Sequence, residues 1–238
     1  MKNTVLHKAD TRGHADHGWL NAYHSFSFAS WYNPDRVQFG TLRVLNDDTI
    51  GAGMGFGTHP HDNMEIITIP LEGDLAHKDS MGNESTIKTG DVQVMSAGTG
   101  IQHSEFNPNA DLRTKLFQIW LFPKTRNVTP RYQQITYDPT EQKNNFAQIL
   151  SPNPDDAGVW IHQDAWFYLA DFEAGFSKTY ELKQEGNGMY VFVISGTITV
   201  DGQELETRDG LGITDFKTLD IKATTDAKFL LMEVPMGY

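Results

Sequence analysis

The chain has 238 residues, enough for one large or two small domains with a sizeable core and no covalent staples. Its 19 basic residues stand against 31 acidic ones, a net charge of -12 that repels phosphate backbones and anionic membrane surfaces, so neither nucleic acid nor membrane is an expected partner. Cysteine is absent, which excludes thiolate nucleophiles, disulfides and cysteine-ligated clusters and leaves His, Asp and Glu to hold any metal.

The opening MKNTVLHKADTRGHADHGWL has no apolar run fit for a signal peptide, and no later stretch approaches the ~20 apolar residues of a membrane span. A soluble cytoplasmic protein is expected. Short runs rich in Val, Ile, Phe and Thr then follow one another between glycines and prolines: EIITIPLEG, DVQVMSAG, KLFQIWLF, MYVFVISGTITV and FLLMEVP. Each has the length and boundaries of a strand, and their number predicts an all-β sandwich or barrel. Helical periodicity is weak, with a turn or two expected in PTEQKNNFAQIL. Residues 123–145 are polar, carry three prolines and separate two β-rich halves, so the domains are placed at 1–133 and 134–238. The halves resemble each other: Gly73 aligns with Gly196 and Gly90 with Gly210, offsets of 123 and 120 residues, which predicts a duplicated β domain.

Chemistry concentrates in the first half. In GFGTHPHDNMEII, His59 and His61 are two residues apart, so on a strand both rings share one face about 6–7 Å apart while Pro60 points away. Pro60 cannot donate to a ladder, which predicts an edge strand, a strand end or a bulge. SAGTGIQHSEFN repeats the spacing with His103 and Glu105. Two such pairs facing each other across a barrel would converge, and three imidazoles with a carboxylate suit a divalent first-row metal. Spacing leaves the carboxylate open, because a turn at Asp62-Asn63 would also return Glu65 to the site. His14, His17 and His24 read as a packed N-terminal arm, His77 as the border of a turn, and His162 lacks a nearby chelating partner. Phe26, Phe28, Phe56, Phe106 and Trp120 could line a flat apolar pocket, although packing is the simpler reading for each alone.

GMGFGTHPHDNME followed by TGDVQVMSAGTGIQHSE resembles the two motifs of the cupin superfamily in the form found in pirins, and RGHADHGWLNAYHSFSF and HKDSMGN fit the same family in order. Gly73 lies one residue late and His103 two residues late against the general cupin pattern, departures the pirins share. The resemblance covers nearly the whole chain. It implies a bicupin of two tandem double-stranded β-helix (jelly-roll) barrels, with one divalent metal held in the first by His59, His61, His103 and Glu105, and Glu65 as a hydrogen-bonding partner of the ligands. Iron is the first candidate, with Mn, Co, Ni, Cu and Zn as alternatives. The implied activity is quercetinase-like: flavonol ring cleavage with dioxygen and release of carbon monoxide, with Glu105 as catalytic base. The implied alternative is a non-enzymatic, metal-binding regulatory protein with a protein partner, as animal pirins are thought to be.

By the repeat offsets His59 and His61 fall on Leu182 and Gln184, and His103 and Glu105 on Ala223 and Thr225, none a good ligand. Metal analysis of tag-free protein should therefore find no more than one tightly bound ion per chain; two would contradict the duplication as read.

Overall fold

The computed structural model describes residues 2–237. In the first half the strands are β1 (Asn3–His7), β2 (Gly13–Asp16), β3 (Leu20–His24), β4 (Leu42–Ile50), β5 (Gly55–His61), β6 (Glu65–Glu72), β7 (Leu75–Asp79), β8 (Glu84–Ile87), β9 (Asp91–Ser96), β10 (Ile101–Phe106), β11 (Thr114–Leu121) and β12 (Arg131–Thr136). The second half adds β13 (Ala147–Ser151), β14 (Val159–Trp160), β15 (Trp166–Phe172), β16 (Ser177–Glu181), β17 (Asn187–Ser195), β18 (Ile198–Val200), β19 (Gln203–Leu205), β20 (Gly210–Thr214), β21 (Thr218–Ala223) and β22 (Ala227–Pro235). The turn expected in PTEQ is a 3-10 helix at Pro139–Gln142. No helix among the described residues is long and apolar enough to cross a membrane.

Each half is a large sheet facing a small one. The first pairs β12-β9-β6-β11-β4-β3-β2 with β5-β10-β7-β8, and the second pairs β1-β20-β17-β22-β15-β13-β14 with β16-β21-β18-β19. Central strands of the large sheets are buried on both faces, which is why EIITIP reads as a continuous apolar run and not as an alternation. Ile67 and Ile69 face the other half, where they join Phe117, Phe167, Phe192, Leu230 and Met232 in one core between the two large sheets. Phe117 meets Phe192 edge to face at 5.4 Å and 87°.

The first half also lends the second an edge strand. β12 pairs over its whole length with β9 of the first half, and β1 pairs with β20 of the second. A boundary at 133/134 runs through β12, and residues 3–7 lie in the second half's sheet. Local sequence cannot reveal this, because a strand has the same pattern whichever edge it completes.

The inner faces differ. The second barrel is filled by a continuous apolar cluster that includes Tyr180, Val191, Ile198, Leu219, Ile221 and Phe229. In the first, the interior splits into a cluster around Leu20, Ile50, Leu75 and Leu116 and another around Ile66, Met95 and Ile101, with polar side chains between them. Strand register identifies the counterparts. Glu105 lies opposite His77 and Ile221 opposite Val200, and His77 and Val200 each stand four residues beyond Gly73 and Gly196. Leu219 and Ile221 thus replace His103 and Glu105, instead of the Ala223 and Thr225 that the sequence offsets indicate. The offset falls from 120 (Gly90 to Gly210) to 116 (Glu105 to Ile221), a slip of four residues to which the connection into β21 (215–217), one residue shorter than that into β10 (97–100), contributes one. Neither alignment places a His, Asp or Glu opposite His103 or Glu105 in the second barrel.

His7 anchors the lent strand. It is buried, its Nδ1 lies 2.9 Å from the Tyr190 hydroxyl, and burial, followed by the charge of Arg36, lowers its pKa from 6.5 to about 4. His7→Ala should destabilise the protein by about 1–3 kcal/mol, the penalty for stranding a buried partner, measured as a fall in Tm of about 2–4 °C per kcal/mol. Because the folded state holds the neutral ring, wild-type stability declines as pH falls from 6.5 towards about 4, and the variant should lose that part of the pH dependence.

Candidate metal centre

β5 is the edge of its small sheet, and its pairing with β10 shifts register between His103 and Glu105. This is where a proline can sit in a strand without stranding a ladder bond. His59 and His61 share a face, Pro60 is exposed between them, and His59 lies directly opposite His103. The three rings form a near-equilateral triangle, with centroids 4.9 Å apart for His59 and His61, 4.4 Å for His59 and His103, and 4.9 Å for His61 and His103. One nitrogen of each lies within 4.8 Å of the others.

Tautomers follow from the neighbours. The Nδ1–H of His59 donates to the Gly57 carbonyl at 2.8 Å, so its Nε2 keeps a lone pair for the interior. His61 packs edge-on against Trp120 at 4.9 Å. Burial, with His59 beside it, lowers the His61 pKa to about 4; burial and the surrounding His59, His61 and His77 lower that of His103 to about 2. Both His103 nitrogens are buried without a hydrogen-bond partner. Two orphaned ring nitrogens in a protein interior are costly, and they fit a site built to donate a lone pair to a cation.

Glu105 is buried on the same face of β10. The Gln118 amide donates to both of its oxygens at 3.3 Å, and burial raises its pKa. Its nearest potential co-ligands include one that sequence reading passed over: His77, His103 and Glu105 form a second group with ligand atoms within 4.8 Å of one another. His77 lies within β7, whose end at Asp79 leads into the turn expected from the sequence. It is buried, its Nε2–H donates to Asp79 at 3.3 Å, its Nδ1 has no partner, and its ring lies 5.3 Å from that of His103. Its spacing from Asp79 on β7 was the available signal, since it repeats the pair pattern of β5 and β10.

Glu65 does not reach the site. It accepts from the Ser96 hydroxyl at 2.7 Å, on the face of β6 that carries Ile67 and Ile69 towards the second half. Burial raises its pKa to about 7, against a hydrogen bond from the His162 backbone and the charge of Arg131. A residue adjacent to Ile66 on a strand faces away from it, so Glu65 belongs to the interface between halves.

Beside the triangle opens a cavity of about 220 Å³, walled by Phe28, Phe56 and Trp120 and floored by His59, His61 and Glu105. Phe26 instead packs in the core between the large sheets, and Phe106 is 41% exposed. His24 belongs to the cavity wall, donating from Nδ1 to Asn46 at 2.9 Å, while His14 stacks on Tyr23 at the surface.

Two tandem barrels, one filled with apolar side chains and the other carrying an imidazole and carboxylate cluster at the base of a pocket, define a bicupin with a metal-capable centre in its first barrel. The family model described as Pirin matches residues 5–121, and that described as Quercetinase C-terminal cupin domain matches 148–234. The chain belongs to the pirin family. It is 44% identical over 230 residues to a quercetin 2,3-dioxygenase of Escherichia coli (strain K12), covering 97% of this chain and 98% of that one. The crystal structure of YhhW from Escherichia coli superposes with a TM-score of 0.94 at 41% identity, covering 99% of this chain and 100% of the other. A crystal structure of the bacterial pirin YhhW in complex with nickel(II) gives 0.93, also at 41% identity, over 98% and 99%.

Because His61 and His103 are already neutral at pH 7 while Glu105 holds its proton more tightly than usual, loading the ligand-free protein with metal should release at most about one proton, from Glu105. Calorimetry in buffers of differing ionisation enthalpy measures this number, and Glu105→Gln should bring it towards zero.

Proposed function

We propose that the protein is a mononuclear, metal-dependent dioxygenase of the quercetinase type, with His59, His61, His103 and Glu105 as the metal ligands. The observation that carries the reading is the pair of orphaned nitrogens on buried His103, set in a triangle of imidazoles beneath an aromatic-walled cavity. The kinship with an Escherichia coli quercetin 2,3-dioxygenase supplies the substrate class, a flavonol, and dioxygen as co-substrate. Iron is our first choice of metal and nickel, seen with the Escherichia coli pirin, the second. A bound redox-active ion would supply Lewis acidity towards the flavonol's hydroxy-ketone and electrons for dioxygen.

The chain's own residues supply the rest. Phe28, Phe56 and Trp120 form a slot suited to planar rings, and their apolar faces exclude water. Trp120 is fixed by its Nε1–H, which donates to the Gln118 side-chain carbonyl at 3.1 Å. The same Gln118 donates to Glu105, so one amide ties the slot wall to the carboxylate. Glu105 accepts the proton of the substrate's 3-hydroxyl on a carboxylate oxygen, and its burial strengthens it as a base in the ionised form. The flavonol anion then reacts with dioxygen, its central ring opening as one carbon leaves as carbon monoxide.

Oxygen uptake and carbon monoxide release, measured with flavonols after anaerobic purification and reloading with Fe, Mn, Co, Ni or Cu in turn, test this directly. Glu105→Gln, reloaded with metal, should lose roughly 10²–10⁴-fold in kcat/KM, as for a lost general base. Glu65→Gln should change turnover by no more than about threefold, because it touches the interface and not the site. No turnover by the wild type with any of the five metals would exclude the dioxygenase.

A further inference from the structure

Above the metal centre the cavity wall is made by β3, β4 and β11, whose inward residues lie in cross-strand rows. One row is Gln118, Asn46 and His24; the next is Leu116, Asp48 and Ala22. Every member of the first row is tied to a neighbour: Gln118 to Glu105 and Trp120, and Asn46 to His24. Asp48 is not. Its side chain lines the cavity, it is only 5% exposed, and its Oδ1 is buried without any hydrogen-bond partner. Its neighbours on the wall, Leu20 and Ala22, are apolar and offer nothing to bond.

A carboxyl oxygen buried beside Leu20 and Ala22 with no partner is unfavourable for folding and is rare in native proteins. Leu or Val would fill the same position on a strand and extend the Leu20, Ile50 and Leu116 cluster. The group is therefore placed for something that enters the cavity.

We propose that Asp48 is a specificity residue: its carboxyl group exchanges a hydrogen bond with a phenolic hydroxyl of the bound substrate and selects ring-hydroxylated flavonols over those lacking ring hydroxyls. This rests on the flavonol reading above and deepens it. A phenol both donates and accepts, and so does a protonated carboxyl group. Burial, followed by the negative charges of Asp47 and Glu105, pushes Asp48 up to about 8, and in either form its free oxygen accepts from a phenolic O–H. Recognition by a buried polar group discriminates strongly, because a ligand without the matching hydroxyl leaves the carboxyl group unpaired.

The test uses the metal-loaded full chain without oxygen, titrated with quercetin and with the flavonol that has no ring hydroxyls, both of which keep the chelating hydroxy-ketone. Wild type should prefer quercetin. Asp48→Leu should weaken quercetin binding by about tenfold or more and the unsubstituted flavonol by less than about threefold. The melting temperature of the ligand-free Asp48→Leu protein should rise by a few degrees, because an unpaired carboxyl group has been replaced by apolar packing. A purely structural role predicts the opposite sign. If Asp48→Leu does not fold, Asp48→Ala supplies the ratio of affinities. An unchanged ratio in the variant overturns the proposal, as does a fall in melting temperature with both ligands weakened equally. Preferential binding of quercetin without turnover under oxygen would remove the dioxygenase and leave Asp48's role standing; no binding of either ligand by the wild type would remove both.

Discussion

The structure depends on a polar cluster held where a barrel should have its core. His103 and Glu105 are almost fully buried, and His103 has no hydrogen bond at either ring nitrogen. Buried polar atoms without partners oppose folding, and each is tolerated only if surrounding packing outweighs it. The second barrel shows the alternative: Leu219 and Ile221 stand at the equivalent positions inside an unbroken apolar cluster. Duplication thus divides labour. One barrel provides stability that the other gives up in forming a site.

The contact between halves makes this arrangement rigid. The large sheets meet through a shared core, and the second takes its edge strand β1 from the first half, so it is not complete alone. Asp47 at this seam takes Arg12 at 3.1 Å and Arg208 at 2.9 Å, one from each half, immediately beside Asp48 in the pocket wall. β4 and β11 form both the interface, through Leu45, Phe117 and Ile119, and the wall of the site, through Asn46, Asp48, Gln118 and Trp120. Side chains backed by such a sheet have little freedom to shift, which holds the imidazole triangle in place.

Much of the site was legible because strands have a period of two. His59 with His61 and His103 with Glu105 needed only local geometry to share faces, and Pro60 marked the edge strand on which the first pair stands. His77 and Asp79 have the same spacing and lie buried on one face of β7, but the turn residues that follow in DSMGN mask the strand in the sequence. Gln118 and Asp48 carried no signal of their own. A glutamine in KLFQIWLF and an aspartate in LRVLNDDTI look like ordinary polar positions until cross-strand register sets one against Glu105 and the other in an apolar pocket wall.

Glu65 marks the limit most clearly. Its distance along the chain from His61 is compatible with the site, and only the pleat of β6 decides that it points the other way, to Ser96 and the second half. Composition and short-range pattern determined by themselves that the chain is all-β, duplicated, free of cysteine chemistry and furnished in its first half with two pairs of potential ligand side chains, because these depend on residue type and on neighbours one or two positions away. Tertiary structure alone decided which edge strand completes which sheet, which carboxylate joins the imidazoles, and which polar groups are left without partners. These are outcomes of strand register and burial, and both are set by contacts between residues far apart in the chain.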